Sequence, residues 1–195
     1  MLGPLYKINS RVSTLFIQCV LLLKRKKIIW GRGTKIFGGI IINLNNSKPI
    51  QIGDNCKFVS HSRFNMVGVN KKVSISVGKN AVLKIGKSCG FTGTSIVANN
   101  SIIIGDYCNF GGNTFIWDTD FHPLDFEDRR IHRIEKIKTK PIIIGDDVFV
   151  GANSIILKGV NLGNRAIVGA GSVVTKNIPA EEVWAGNPAK FIRKI

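Results

Sequence analysis

A six-residue beat governs the last third of this chain. Ile144, Val150, Ile156, Leu162, Val168 and Val174 follow one another at intervals of six without a slip. Gly145, Gly151, Gly163 and Gly169 directly follow most of them, and a small or short residue recurs four places on, at Val148, Ser154, Val160, Ala166 and Ser172. Self-similarity at a fixed short period marks a solenoid, and a hexapeptide period points to a parallel β-helix. The reason is geometric. Each coil is one turn of a triangular prism built from short strands, with one aliphatic residue per strand aimed at the axis. A lone coil cannot bury its apolar face, so coils stack and make the core between them.

The beat reaches further back. Ile52-Gly53-Asp54-Asn55-Cys56, Val77-Gly78-Lys79-Asn80-Ala81, Ile85-Gly86-Lys87-Ser88-Cys89 and Ile104-Gly105-Asp106-Tyr107-Cys108 restart the same register, with an irregular stretch near Asn70-Lys71-Lys72. Residues 118–141 are charged and fit no hexad, yet the beat returns at Ile144 as if nothing had been removed. An insertion that leaves the flanking register intact is a loop extruded from a corner, and solenoids place such loops on one face, often the binding face. The spacing therefore predicts an all-β coil over residues 31–179 with an extruded loop at 118–141. Residues 180–195, with a Gly186-Asn187-Pro188 turn and an amphipathic tail, read as a short helical cap over the open strand edges.

Residues 1–30 read as a helical segment. Thr14 to Leu23 is strongly apolar, but shorter than the roughly 20 residues a bilayer span requires. It is followed at once by Lys24-Arg25-Lys26-Lys27, the reverse of the charge order in a secretory signal. Two readings fit: a helix packed over the end of the coil, or a peripheral membrane contact through residues 14–27 in which the apolar face and basic cluster act together.

Lys and Arg number 28 against 12 acidic residues, and the net charge of +16 attracts anions. No aromatic stripe is interleaved with the basic residues, which argues against nucleic acid. Cys19, Cys56, Cys89 and Cys108 form no CxxC pair, which argues against a zinc ribbon. Cys56, Cys89 and Cys108 fall four places after Ile52, Ile85 and Ile104, the small inward position of the repeat, and read as buried free thiols suited to a reducing cytoplasm.

The chain resembles the left-handed β-helix, hexapeptide-repeat acyltransferases, in particular the branch of maltose, galactoside and capsular-polysaccharide O-acetyltransferases. The resemblance is carried by Asp118-Thr119-Asp120-Phe121-His122-Pro123-Leu124 in the inserted loop, by Val150-Gly151-Ala152-Asn153 with Val168-Gly169-Ala170-Gly171-Ser172, and by the exit Trp184-Ala185-Gly186-Asn187-Pro188-Ala189-Lys190. It implies an acetyl-CoA-dependent O-acetyltransferase acting on a sugar or glycan by direct transfer, in a homotrimer with sites between subunits and without a metal. It makes His122 the general base, a role imidazole suits because a hydroxyl proton must be removed near neutral pH. Asp120, Asp118 or a backbone carbonyl would orient the ring. The acetyl-CoA groove is expected along Gly151, Ala152, Gly169, Ala170 and Thr175, with Lys176, Lys190 and Arg193 near the phosphates and Trp184 either on the adenine or sealing the last coil. Small residues there are also what the coil itself demands.

His61, in Ser60-His61-Ser62-Arg63, and His132, among Arg129, Arg130 and Arg133, read as solvated, so three histidines converging on zinc are not expected. The basic loop residues read equally as a solvated face and as a face suited to an anionic acceptor. The competing readings are N-acetylation of a nucleotide-linked amino sugar and a catalytically idle scaffold. If residues 14–27 contact membrane, their deletion abolishes sedimentation with anionic liposomes and leaves the coil folded; full-length protein that ignores such vesicles rules the contact out.

Overall fold

The computed structural model describes residues 28–45 and 47–195. Residues 1–27 of the helical segment expected over 1–30, with the membrane contact expected as one reading of 14–27, and Cys19 lie outside the described residues.

Consecutive coils supply one strand to each of three sheets. The first coil holds β1 (Ile28–Trp30), β2 (Lys35–Phe37) and β3 (Ile40–Leu44); the second β4 (Ile50–Ile52), β5 (Lys57–Val59) and β6 (Val73–Val77). Then come β7 (Val82–Ile85), β8 (Gly90–Thr92) and β9 (Ser95–Ala98), followed by β10 (Ser101–Ile104), β11 (Asn109–Phe110) and β12 (Phe115–Trp117). The last full coils hold β13 (Ile142–Ile144), β14 (Phe149–Val150) and β15 (Ile155–Leu157), then β16 (Asn161–Leu162), β17 (Ile167–Val168) and β18 (Val173–Val174). The first sheet runs β1-β4-β7-β10-β13-β16, the second β2-β5-β8-β11-β14-β17 followed by β19 (Glu182–Ala185) and β20 (Lys190–Lys194), and the third β3-β6-β9-β12-β15-β18. Apart from the last pair, β19 and β20, neighbours are parallel, as successive turns of one coil must be.

Register converts the beat into columns. Ile52 lies beside Ile85, Ile85 beside Ile104, Ile104 beside Ile144 and Ile144 beside Leu162, all buried. Ile102 pairs with Ile142 across the insertion, so residues 118–141 leave the ladder undisturbed. In the second sheet Phe58 and Phe91 stack at 5.1 Å, and Phe91 and Phe110 at 4.8 Å. Cys56, Cys89 and Cys108 are buried free thiols. Each thiol donates to a glycine carbonyl one coil on: Gly86 at 3.2 Å, Gly105 at 3.1 Å and Gly145 at 3.0 Å. Ser154 makes the same bond to Gly169 at 2.9 Å. The small inward position thus suits any compact residue, and a weak donor there finds a carbonyl.

The Gly-Asp corners have their own ladder. The Oδ1 atoms of Asp54, Asp106 and Asp146 accept from the backbone N–H of Arg32, Lys87 and Asp106, and Oδ1 of Asn164 from that of Asp146. A short carboxylate or amide at this place satisfies a corner donor that no strand reaches.

The coil begins earlier and ends differently than the spacing suggests. Residues 28–30 are strand, paired in register with Ile50–Ile52, not the end of a helix. Trp30, Ile36 and Ile42 are themselves six apart, but an indole in place of an aliphatic residue disguises the beat. The expected helical cap over residues 180–195 is instead a hairpin: β19 (Glu182–Ala185) adds to β17 in parallel, and β20 (Lys190–Lys194) returns antiparallel along it. The open edge of the second sheet offers unpaired backbone groups along its length, and a returning strand satisfies them where a helix would not.

Phe91 sits between two aromatic neighbours at the centre of its column. Phe91→Ala is expected to destabilise the fold by about 3–5 kcal/mol, read as a lower thermal midpoint in calorimetry.

Candidate functional site

The inserted loop leaves the corner after β12 and is laced at its base. Lys140 N–H donates to Asp118 C=O at 3.0 Å, Asp120 N–H to Lys138 C=O at 3.1 Å, and Thr119 bridges Thr139 in antiparallel fashion. Beyond the base, Asp125 caps a short helix, α1 (Phe126–Arg130), accepting from the N–H groups of Glu127 and Asp128. Arg129 donates to the carbonyls of Pro123 and Leu124, and Arg133 pairs with Asp128. These two arginines hold the loop to itself. Lys136, Lys138 and Lys140 remain exposed. So do Leu124, Phe126, Ile131 and Ile134, the last 75% exposed.

The candidate carboxylates have different surroundings. Asp118 is fully buried, and its two oxygens accept from the N–H groups of Asn99 at 2.7 Å and Asn100 at 2.8 Å. Burial pushes its carboxyl above the ordinary range, opposed by those backbone donors. Asp118 fastens the start of the loop to the coil beneath. Asp120 is half-buried; its Oδ1 lies 2.5 Å from Lys158 Nζ, and its Oδ2 is buried without a partner. Lys158 directly follows β15, whose Leu157 pairs with Trp117, so the next coil delivers its ammonium to the foot of the loop. Lys158 carries no motif in sequence; only the coil register could have pointed to it.

His122 is exposed and, among the described residues, makes no hydrogen bond or ion pair. Phe121, just before it, has φ +64°. For a bulky residue this left-handed conformation costs roughly 1–2 kcal/mol. The Phe121 ring meets Trp117 edge-on, with centroids 5.3 Å apart, and Trp117 leans on Phe115 at 4.8 Å. Lys71 reaches over from the excursion between β5 and β6, setting its Nζ 3.1 Å from the Phe115 centroid. That nitrogen is buried without a hydrogen-bond partner.

The other histidines stand apart from this site. His61 caps a single 3-10 turn, its Nδ1 accepting from Arg63 N–H at 3.1 Å, and His132 lies exposed near the far end of the loop.

The residues expected to line a groove divide between two corners. Gly151 and Ala152 lie directly after β14, and Gly169 and Ala170 directly after β17, in one column where the second sheet turns into the third. A Cβ at Gly151 would come within 2.4 Å of Ala170 N, and one at Gly169 within 2.8 Å of Ala185 Cβ, so each glycine is required by the coil above it. At Gly171 a Cβ would meet nothing, so the rim there is open. Lys190 pairs with Ala185 at the end of this column, and Arg193 is exposed further along β20. Trp184 is half-buried against the core, with its Nε1 donating to Glu182. Thr175 and Lys176 follow β18 at the other corner, on the side of the third sheet where the His122 loop emerges. Strands two or three residues long separate the two corners, a span of about 10 Å. The arrangement sets flush backbone at one edge and exposed cations at both.

Residues 141–176 match the family model described as the hexapeptide repeat of succinyl-transferase. The chain is 40% identical over 112 residues to a Saccharomyces cerevisiae protein with an acetyltransferase designation, covering 54% of this chain and 56% of that one. It therefore spans little more than half the length of this curated relative. In fold the chain is similar to AntD, an N-acyltransferase from Bacillus cereus solved with dTDP and 3-hydroxybutyryl-CoA, with TM-score 0.58 and 20% identity over 89% of this chain and 86% of that one. It is also similar to the polySia-specific acetyltransferase NeuO, with TM-score 0.51 and 23% identity over 86% of each chain. At these identities the likeness is one of fold.

Burial also lowers the Lys71 ammonium from its ordinary 10.5 to about 8. Between those values the unfolded chain binds more protons than the folded one, so stability rises with pH across that window and is lost as the pH falls through it. Lys71→Met removes the linkage. The thermal midpoint of the wild type should gain on that of the variant between about pH 7 and about pH 10; a constant difference in calorimetry would exclude the effect.

Proposed function

We propose that the chain is an acetyltransferase of the hexapeptide-repeat kind, and that it moves an acetyl group from acetyl-CoA to a hydroxyl of a sugar or polysaccharide precursor. The coil is read as left-handed, as the resemblance implies. The observation that carries the reading is the state of His122: an exposed imidazole with no hydrogen bond or ion pair among the described residues, on a laced loop at a corner of the third sheet.

Acetyl-CoA would supply an activated acyl carbon. The imidazole of His122 takes the acceptor hydroxyl proton as the oxygen attacks that carbon, and returns it to the departing thiolate, so the proton count closes without a covalent enzyme intermediate. The ring needs an acceptor on its other nitrogen to fix its tautomer. Asp120 is better suited than Asp118: its Oδ2 is unpartnered, whereas both oxygens of Asp118 are taken by backbone N–H groups. Gly151, Ala152, Gly169, Ala170 and Thr175 would line the donor groove, and Lys176, Lys190 and Arg193 would meet its phosphates, with Trp184 beside the adenine end. A backbone N–H would stabilise the developing oxyanion.

We place the site in a homotrimer. The exposed Leu124, Phe126, Ile131 and Ile134, all on this one loop, support a neighbouring subunit as its outer wall, since large apolar side chains left in solvent favour an interaction surface. The free thiols support a cytoplasmic location. No helix among the described residues is long and apolar enough to cross a membrane, so a peripheral membrane contact would rest on residues 14–27. The net charge of +16 favours an anionic acceptor such as an acidic glycan or a diphosphate-linked sugar. An amine acceptor could use the same base, and the fold relatives named above include an N-acyltransferase. Acetyl-CoA consumption measured across neutral, acidic and amino sugars separates the two.

His122→Ala should lower acetyl-CoA turnover by about a hundredfold or more while leaving the oligomer intact; near-normal turnover overturns the assignment. Asp120→Asn should lower turnover with little change in thermal midpoint, whereas Asp118→Asn should lower the midpoint first.

A further inference from the structure

Among the described residues His122 makes no hydrogen bond of its own, and the residues on either side of it are what constrain its direction. On one side Pro123 is buried, and its ring fixes the backbone torsion there. On the other side stands Phe121 at φ +64°. Several non-glycine residues at coil corners share that conformation, Asn55, Asn153 and Arg165 among them, where each coil must turn. Residue 121 is in the loop, where no stacked coil asks for such a turn. A bulky side chain stays in this region of backbone space only when its surroundings hold it there.

What holds it is an aromatic row across the outer face of the third sheet. Phe121 N–H donates to Thr119 Oγ1 at 3.3 Å, and its ring stands on Trp117 at an interplanar angle of 86°. Trp117 belongs to β12, which is paired on both sides, to β9 and β15. Trp117 packs on Phe115 two residues back, and Phe115 is capped by the Lys71 ammonium from the other excursion. The row begins near the corner where the second sheet meets the third and ends at the corner where the His122 loop leaves.

We infer that Phe121 and Trp117 are positioning residues for His122, and that the row Lys71–Phe115–Trp117–Phe121 ties the direction of the imidazole to the paired strands of the third sheet. Its catalytic consequence rests on His122 acting as the base; the positioning itself does not. Without the ring contact the backbone at residue 121 is free to leave the left-handed region, and the imidazole turns with it.

The test compares Phe121→Gly, Trp117→Val and Trp117→Phe in the full chain. Phe121→Gly keeps the backbone conformation accessible and removes only the ring. In carbon–proton NMR spectra, with the His122 ring signal assigned by its loss in His122→Ala, the wild type and Trp117→Phe should show one sharp His122 resonance. Phe121→Gly and Trp117→Val should show it shifted and broadened by exchange. In kinetics, kcat should fall by on the order of tenfold to a hundredfold with KM for acetyl-CoA within about twofold, and Trp117→Phe should recover most of the loss. An unchanged His122 resonance in Phe121→Gly overturns the inference whatever the activity, and Phe121→Gly decides the matter should Trp117→Val fail to fold. Full activity in His122→Ala overturns the general-base reading and leaves the NMR result to judge the positioning.

Discussion

The structure depends on how closely one coil's backbone approaches the next. A Cβ at Gly53 would lie 2.5 Å from the backbone of Gly86, and one at Gly111 2.5 Å from Ala152 N. Neighbouring strands in a sheet stand about 4.7–4.9 Å apart, and every corner must keep that spacing or the ladders on both sides fail. The phenylalanine stack, the thiol-to-carbonyl bonds and the carboxylate ladder at the Gly-Asp corners all repeat at this interval. None is strong alone. They recur because the spacing recurs, and the spacing survives because glycine stands where a side chain would push the coils apart.

A scaffold so constrained can vary only where the chain leaves it. Two such departures bracket the third sheet, one between β5 and β6 and one between β12 and β13. The second is fastened rather than loose. Asp118 is drawn wholly into the coil to receive two backbone N–H groups, Lys140 returns to the Asp118 carbonyl, and Lys158 from the next coil holds Asp120. Burying a carboxylate is costly unless its oxygens are satisfied, so Asp118 is committed to structure. Asp120, two residues on and only half-buried, keeps one oxygen free. Two aspartates that look equivalent in a string of letters thus have different roles because one lies beneath the loop and the other beside its opening.

The charge balance divides in a similar way. Arg129 and Arg133 are spent inside the loop on carbonyls and on Asp128, and Lys71 is turned inward onto an aromatic ring. Lys190 and Arg193 stay exposed beyond the corner where flush backbone runs, and Lys176 at the opposite corner of the third sheet. The count of basic residues gives the sign of the field; their placement decides which of them are already paired and which face solvent.

The sequence by itself determined the period, hence the coil, the inward columns, the buried thiols and the place where His122 leaves the scaffold. Those features are local or strictly repeated, and a repeat of six with small residues between has few other ways to bury its apolar atoms. The tertiary structure decided the rest. It turned the C-terminal tail into a strand, because an open sheet edge there needed a partner. It drew Trp30 into a first coil that the indole had disguised. It brought Lys158 to Asp120 and Lys71 to Phe115, residues 38 and 44 positions apart in the chain. Such contacts arise from stacking one turn on another across an insertion, and no period within the sequence records which side chains that stacking makes neighbours.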